Sequence, residues 1–251
     1  RGRAVENKLA KLLIDVCRSQ SVAVFGNVTI AILLACIVSA AYAANTQQPL
    51  LDAHTVAYQM KSVDIITQPT LWYAAIAGLW LFCSGIIAGF FDNRADYLDL
   101  RNRLTINPLL RKIIPAKARH AFAAYMHRHY GSLTGNFIFG MLLGMTGFFG
   151  HLLDLPLDIR HVAFSSANLG YAVVSGNLGA KAFLLGLAGV LAIGAVNLMV
   201  SFTLALFVAL RSRGTKISSI SKLLNSVWTQ IKANPLLLVY PVQAKDGQEN
   251  K

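Results

Sequence analysis

Charged residues are scarce in this chain and are missing altogether from four long stretches. Asp, Glu, Lys and Arg make up 14% of the 251 residues, whereas a soluble domain usually carries about 25%. The uncharged stretches lie between Arg18 and Asp52, Asp64 and Asp92, Arg128 and Asp154, and Lys181 and Arg211. Each contains an apolar run of about 20 residues, which is the length of helix that crosses about 30 Å of hydrocarbon. Four such runs are hard to bury in one soluble core, so the sequence predicts an integral membrane protein.

Acidic residues and cysteines are also few. There are 11 acidic residues against 23 Lys and Arg, which gives a net charge of +12. Of the three cysteines, Cys36 and Cys83 lie inside apolar runs and Cys17 in a basic flank, and none has the spacing of a zinc site. His127 and His129 are separated by one residue, which is weak evidence for a metal. We therefore predict buried or reduced thiols, no bound metal and no cofactor.

Motifs that would identify an enzyme are missing too. The chain contains no Walker A, GxGxxG, HExxH or GxSxG pattern, and these patterns mark nucleotide-binding, metalloprotease and hydrolase sites. The apolar runs hold no Asp, Glu, Lys or Arg, although a proton- or ion-coupled transporter usually needs one there. We predict no catalytic residue in this region.

The cations that are present alternate along the chain. Lys and Arg number five before the first apolar run, then one, eight and two in successive connections, and seven in the tail. Cytoplasmic segments of membrane proteins carry the excess of Lys and Arg. We therefore predict a bacterial inner (cytoplasmic) membrane protein with both termini in the cytoplasm. Its predicted parts are a basic segment 1–21, a transmembrane domain 22–210 with spans at about 22–44, 71–91, 132–153 and 182–210, a cytoplasmic connection 92–131 and a cytoplasmic tail 211–251.

One further uncharged stretch lies between the third and fourth spans. Residues 161–180 are long enough for a fifth span, but five spans would put the seven-cation tail outside, against the charge rule. The stretch also contains the polar residues Ser165, Ser166 and Asn168. We predict that 158–180 is a re-entrant or interfacial segment on the outer side, and that it packs against the bundle because lipid does not tolerate unpaired backbone groups.

The entrance to this segment is the densest polar group on the predicted outer side. Asp158, Arg160 and His161 lie close together in the chain, with His151 nearby. We predict that Asp158 and Arg160 form an ion pair that orders the turn. The alternative is that a carboxylate and an imidazole of this group act as acid and base, the two side chains most used for proton transfer.

Two predicted cytoplasmic helices are amphipathic. In the connection, Asn107 and Pro108 end a first short helix, because the residue before a proline is pushed out of the α region. Pro115 then opens a second helix over 116–130. In the tail, apolar residues recur every three to four positions over 218–233. We predict that 116–130 and 218–233 lie on the anionic lipid of the inner leaflet, where each nearby cation gains about 1 kcal/mol.

Small residues in two of the spans predict close helix contacts. Gly85 and Gly89 in the second span, and Gly140, Gly144 and Gly147 in the third, recur at three or four residues, the spacing that lets helices approach closely. The two stripes serve either packing within one chain or an interface between copies of the chain.

Two asparagines are placed in apolar surroundings. Asn136 lies in the third span and Asn197 in the fourth, and an amide in a membrane needs a partner inside the bundle. Each amide forms either an interhelical hydrogen bond, worth about 1 kcal/mol, or part of the lining of a small cavity.

Three segments resemble one bacterial membrane-protein family, which carries the label site-specific recombinase. They are Gly89-Phe-Phe-Asp92-Asn93-Arg94, the stretch from Gly135-Asn136-Phe137 through Gly147-Phe148, and the long block 155–171 that runs from Leu155-Pro156 to Gly170-Tyr171. The resemblance covers most of the chain, to residue 241. Members of the family are longer, so the resemblance implies that this chain is the C-terminal membrane part of a larger protein.

The predicted fold is therefore an all-α membrane protein with four transmembrane helices, a re-entrant or interfacial outer segment and amphipathic cytoplasmic helices. The leading functional prediction is a non-enzymatic anchoring or scaffold domain. A channel or transporter is the second hypothesis. DNA recombination, which the family label implies, is the third, although no His-x-x-Arg of a tyrosine-type recombinase occurs. The predicted partners are anionic lipid and either a second copy or the chain's own N-terminal region, but not nucleic acid.

Overall fold

The part of the chain that the structure describes is mainly helical. The computed structural model describes residues 2–212 and 220–238. In chain order the helices are α1 (Gly2–Thr46), α2 (Ala53–Ser62), α3 (Thr70–Tyr97), α4 (Leu100–Ile106), α5 (Pro108–Ile113), α6 (Ala116–Leu152), α7 (Val162–Ser175), α8 (Ala180–Ser212), α9 (Ile220–Ala233) and a 3₁₀ turn, Pro235–Leu238. These residues include no strand, which confirms the predicted all-α fold class.

Four of the helices, α1, α3, α6 and α8, are long and apolar enough to cross a membrane. The four predicted spans fall on them. Each helix is longer than its span, since α1 has 45 residues and α6 has 37. Lys, Arg, Leu and Ala, which recur in the basic segment before the first span, are good helix formers. The basic segment therefore continues the helix of the first span instead of ending it.

The stretch 116–130 is helical but does not form the separate helix that we predicted. α6 runs without a break from Ala116 to Leu152, so this stretch and the third span are one helix. Gly131 stands at the join, and a glycine inside a helix costs only about 1 kcal/mol relative to alanine. At this position a side chain would overlap Ala88 of α3.

The predicted break at Asn107 and Pro108 is confirmed. α4 ends before this pair and α5 begins with the proline. The Asn107 side-chain oxygen accepts hydrogen bonds from the amides of Leu109 and Leu110, at 3.0 and 3.2 Å. These bonds satisfy two of the amides that the first turn of a helix leaves open.

α3 and α6 pack against each other in antiparallel orientation. Gly131 and Gly135 of α6 face Ala88 of α3 so closely that a Cβ on either glycine would overlap atoms of that alanine. Farther along the pair, Trp80 Nε1 donates a hydrogen bond to Thr146 Oγ1 at 2.9 Å. The two helices therefore stay in contact from the Gly131 end to the last turns of α6.

Segment 158–180 consists of an extended entrance, α7 and a short turn into α8. α7 runs parallel to α1: Val162 and Val24 lie beside the same α8 glycine, Gly194, and the hydroxyls of Ser175 and Ser39 are 3.0 Å apart. The buried residues of α7 are Val162, Ser165, Ser166, Leu169, Gly170 and Ala172. The segment packs against the bundle as a helix, and its depth in a membrane stays a prediction.

Small residues of α8 bring several elements together at one core. A Cβ on Gly186 would lie 2.5 Å from a methyl group of Leu169, and a Cβ on Gly189 would overlap the carbonyl oxygen of Val63. The core cluster around these contacts consists of Val28, Val63, Ala74, Val162, Leu169, Val190 and Ile193. It joins α1, α7 and α8 to the start of α3.

The five glycines that we predicted to lie at helix contacts have no close neighbour among the residues that the structure describes. A Cβ added to Gly85, Gly89, Gly140, Gly144 or Gly147 would meet nothing within 4 Å. The stripes therefore do not pack against the described helices, and an interface between copies stays a prediction. Four-residue spacing places glycines on one face of a helix, but it does not decide which face meets the neighbour. Gly131 and Gly135 have the same spacing and lie on the face that does.

The tail helix α9 lies along the N-terminal part of α1. Ser226 Oγ is 2.6 Å from the side-chain oxygen of Asn7, and Gln230 donates to the carbonyl oxygen of Asn7 at 3.2 Å. Arg18 Nη1 donates to the carbonyl oxygen of Leu237 at 2.9 Å. Protein therefore holds one side of the predicted lipid-facing helix, while Trp228 is exposed. The rest of the predicted tail, 213–219 and 239–251, falls outside the described residues.

Candidate functional site

Polar side chains converge where the entrance of segment 158–180 meets the end of α2 and the start of α3. Arg160 is the centre of this group, and its side chain is only 14% exposed. Its Nη1 lies 2.7 Å from Asp158 Oδ2, so the ion pair that we predicted is present. Nε donates to the carbonyl oxygen of Ser62 at 3.0 Å, and Nη1 also donates to the carbonyl oxygen of Ile159 at 3.1 Å.

An aromatic ring and a threonine complete the support of Arg160. The guanidinium carbon lies 5.8 Å from the ring centre of Tyr73, which is within the range of a cation–π contact. Thr70 Oγ1 donates to the carbonyl oxygens of Asp64, at 2.7 Å, and Ser62, at 3.4 Å. The turn between α2 and α3 is thereby held in the shape that presents the Ser62 carbonyl to Arg160.

Asn197 of α8 binds backbone groups of the same junction. Its side-chain oxygen accepts from the amide of Val162, at 3.1 Å, and its side-chain nitrogen donates to the carbonyl oxygens of Ala74, at 2.7 Å, and Arg160, at 3.0 Å. The side chain is buried, at 1% exposure. One amide therefore joins α3, α7 and α8 through backbone groups, and it also satisfies an open amide at the start of α7.

These elements line a small open cavity, which we call the Arg160 cavity. Its volume is about 230 Å³. Its lining consists of Tyr58, Lys61, Ser62, Gln68, Pro69, Thr70, Tyr73, Asp158 and Arg160. Lys61 is exposed and forms no ion pair with any residue that the structure describes. The cavity therefore combines two cations, one carboxylate and two phenol rings.

The other polar residues predicted in segment 158–180 lie outside this cavity. Ser165 and Ser166 are buried in α7, and the Ser166 hydroxyl donates to the carbonyl oxygen of Val162 at 2.6 Å. Asn168 is half-buried. Ser165 and Ser166 therefore serve the packing of α7, and none of the three side chains lines the Arg160 cavity.

His161 lies between aromatic rings. The ring centres of Phe139 and Phe164 are 5.1 and 5.8 Å from that of the histidine. Burial lowers the pKa of His161 to about 4, because an apolar environment disfavours the charged ring. The carboxylate nearest in sequence, Asp158, is paired with Arg160. The geometry therefore does not assemble the acid–base pair that we considered.

Asn136 does not face the bundle, which corrects our prediction for this residue. It is exposed on α6, on the side away from α3. It shares this side of the helix with Gly140 and Gly144, which follow at intervals of four residues. The apolar run around Asn136 does not show which side of the helix meets its neighbour. The direction of the side chain could therefore not be predicted from the sequence.

A second polar cavity lies at the other end of α3 and α6. It has a volume of about 330 Å³ and is lined by Asp92, Asp96, Arg101, Ala124, His127 and Arg128. Asp92 Oδ1 accepts from the amide of Gly131 at 2.9 Å, and His127 Nε2 lies 3.4 Å from Asp96 Oδ1. His127 Nδ1 is buried without a partner among the described residues.

No group of three or more His, Cys, Asp or Glu side chains in the described residues is arranged to hold a metal. The residues that sequence reasoning missed are Ser62 and Tyr73, which contact Arg160 through a backbone oxygen and a ring. Thr70 was missed too, and it acts on Arg160 only through the turn that it holds. The cluster of turn-forming residues after α2, with Asp64, Thr67 and Pro69, was the only signal for them.

One of the comparisons with known proteins identifies a family. The family model described as "Site-specific recombinase" matches residues 1–241 of the chain. No curated protein and no solved structure matches the chain.

Proposed function

Because the chain belongs to the site-specific recombinase family, we propose that it is the membrane-anchoring or scaffold part through which a member of this family is held at the membrane. Four apolar helices make it a multi-pass membrane-associated domain. The anchoring role itself is the proposal, and so are the bacterial inner membrane and the cytoplasmic position of both termini.

The observation that carries the proposal is the apolar outer surface of the long helices. Large apolar side chains are exposed all along α1, α3, α6 and α8, among them Val22, Phe25, Leu33, Ile86, Phe90, Phe137, Met141, Phe148, Leu184 and Phe207. Monomeric soluble proteins rarely expose contiguous apolar patches of more than a few hundred Å². A lipid bilayer is the environment in which this surface is stable.

The interior of the bundle also favours an anchor over a transport path. Asn197, the polar residue buried in the middle of α8, uses its amide in three hydrogen bonds to backbone groups. Such an amide supports the bundle and leaves little capacity to coordinate a passing solute. The charged residues of the described helices lie outside the four predicted spans, where they support orientation in the membrane.

Fractionation of a fusion protein tests anchoring. A soluble fluorescent protein is fused to the N-terminus of residues 1–251, and membranes are washed with alkaline carbonate. We expect the fluorescence to stay in the pellet and to leave it only with detergent. A matched fusion that carries residues 213–251 alone, without the four long helices, is the control. Release of the full fusion by carbonate would contradict the proposal.

The partners follow from the same proposal. We expect anionic lipid to lie beside the basic connection 92–131, which carries eight Lys and Arg, since each cation near such a surface gains about 1 kcal/mol. A second copy of the chain or an N-terminal region of the same protein are the proposed protein partners. Co-purification of differently tagged copies from mild detergent tests the first of these.

DNA recombination is the second candidate, and the description of the family is the observation in its favour. It requires that cytoplasmic parts of the protein bind DNA. Binding through phosphate contacts weakens steeply as salt is raised. A mobility shift of a labelled duplex by the detergent-purified chain, lost between about 50 and 200 mM salt, would support this candidate, and no shift at low salt would rule it out for this chain.

A further inference from the structure

We propose that the Arg160 cavity binds the carboxylate group of a small organic monoanion. The proposal is independent of the anchoring role, because it concerns a polar site at the junction of α2, α3 and the entrance to α7 and not the apolar surface. Three properties support it. They are a guanidinium that is held in place with unused N–H donors, a net charge of one positive unit in the lining, and aromatic walls around a small volume.

The guanidinium of Arg160 is positioned before any ligand arrives. Backbone oxygens of Ser62 and Ile159 and the Asp158 carboxylate engage Nε and Nη1. None of the described hydrogen bonds uses Nη2, so its two N–H groups stay available. A donor that is already oriented loses little conformational freedom on binding, and hydrogen bonds from a cation to an anion are stronger than those between neutral groups.

The charges around the cavity match a single negative charge. Lys61 and Arg160 contribute two positive charges and Asp158 one negative charge, which leaves one positive charge. The Lys61 ammonium has no ion pair within the described chain, so it can supply a second contact. One carboxylate oxygen is assigned to Arg160 Nη2 and the other to Lys61 Nζ. A phosphate dianion would exceed this charge and would approach Asp158.

The remaining walls set the size and character of the ligand. The rings of Tyr58 and Tyr73 and the Pro69 ring line the cavity beside the two cations. Its volume of about 230 Å³ lies below the roughly 300–1,000 Å³ of sites for drug-sized ligands. A short monocarboxylate with an apolar or aromatic body fits these walls.

The carboxylate has two possible sources, a soluble organic acid and a fatty acid from the surrounding lipid. The probes are sodium benzoate for the first and sodium dodecanoate for the second. The full chain is reconstituted in lipid nanodiscs, and binding is measured by saturation-transfer NMR of the probe at constant ionic strength. We expect saturable benzoate binding that acetate displaces and that an equal concentration of chloride does not. Dodecanoate binding that Lys61→Gln weakens, without benzoate binding, would support the site and assign it to lipid-derived acids.

Three substitutions make the test specific. Lys61→Gln and Arg160→Lys remove one assigned contact each, and we expect each to raise the dissociation constant about tenfold or more. Lys181→Gln removes an exposed cation that does not line the cavity, and we expect no change. Arg160→Lys also disturbs the junction, so its folding is checked by thermal melting, whereas Lys61 is exposed and decides the test even where Arg160→Lys does not fold.

Three results would overturn the proposal. They are the absence of binding by both probes, equal affinities for the wild type and Lys61→Gln, and displacement of benzoate by inorganic phosphate at lower concentration than by acetate.

Discussion

Asn197 and Asn136 are both amides in long apolar helices, but their surroundings differ. Asn197 is buried and bonded to three backbone groups, whereas Asn136 is exposed on α6. A polar group stabilises a membrane helix bundle only when it finds partners inside it, because the surrounding lipid offers none. The same residue type therefore has a structural role at one position and no hydrogen-bond partner among the described residues at the other.

The two asparagines form a matched pair of mutations. Asn197→Ala leaves the Val162 amide and the Arg160 carbonyl oxygen without their partner, and we expect a loss of about 1–3 kcal/mol of stability. Asn136→Ala removes an exposed side chain, and we expect no loss. Thermal unfolding in detergent measures both. Equal melting temperatures for the two variants would show that the Asn197 contacts contribute nothing.

His161 predicts a dependence of stability on pH. Burial lowers its pKa in the folded chain from 6.5 to about 4, so the neutral ring is the form that the fold favours. As the pH falls below about 6.5 the unfolded chain takes up a proton that the folded chain excludes. Stability from this group is therefore complete above that pH and declines towards pH 4, by up to about 3 kcal/mol.

The measurement is the melting temperature in detergent between pH 7 and 4, for the wild type and His161→Phe. Phenylalanine keeps an aromatic ring between Phe139 and Phe164 and does not titrate. We expect the variant to lose less stability than the wild type over this interval. Parallel pH curves would mean that burial does not lower the pKa of His161 in the folded chain.

At the scale of helices, contact between α3 and α6 depends on small residues at particular positions. Gly131 and Gly135 lie against Ala88, whereas Gly140 and Gly144, on the same helix and at the same spacing, face open space. The surface that includes Gly140 and Gly144 is available to lipid or to another copy of the chain. Helix spacing identifies a face, and only the neighbouring helix identifies its use.

Substitution of these glycines separates the two faces. A Cβ on Gly131 would overlap the Ala88 carbonyl oxygen and the Asp92 carboxylate, so we expect Gly131→Ala to destabilise the chain by about 1–3 kcal/mol. Gly144→Ala meets nothing, and we expect it to leave monomer stability unchanged or slightly raised. Detergent unfolding compares them. A larger loss for Gly144→Ala than for Gly131→Ala would contradict this arrangement of α3 and α6.

The whole molecule combines a polar junction, an apolar exterior and an alternating distribution of cations. These properties predict an orientation, because segments rich in Lys and Arg stay on the cytoplasmic side. The cation-poor connections contain α2 and the Arg160 cavity, and the cation-rich connection contains α4 and α5. In this orientation the carboxylate site faces outward and the basic helices face the cytoplasm.

Reporter fusions test this orientation. Reporters fused after residues 44, 91, 153 and 210 are expected to lie outside, inside, outside and inside, in that order. Paired reporters that are active on opposite sides of the membrane serve as internal controls at each position. An outside signal from the fusion after 210 would contradict four spans, and it would place α9 on the same side as the Arg160 cavity.

The positions of the four long helices could be predicted from the sequence alone. Hydrocarbon excludes charge and has a known thickness, so an uncharged apolar run of sufficient length marks a span without reference to any other part of the chain. Two local features were also predictable, because each involves residues close together in sequence. They are the break at Asn107 and Pro108 and the pairing of Asp158 with Arg160.

The tertiary structure alone decided which faces of the helices meet and which residues complete the site. Gly131 became a contact and Gly144 did not, because only the position of α3 distinguishes them. Arg160 is held by a carbonyl oxygen of Ser62, and backbone oxygens leave no trace in composition or spacing. In the same way, only the packing of the helices shows that Asn197 is buried and Asn136 is exposed. Local physical constraints can be read from the sequence, whereas contacts between distant segments depend on how the helices pack.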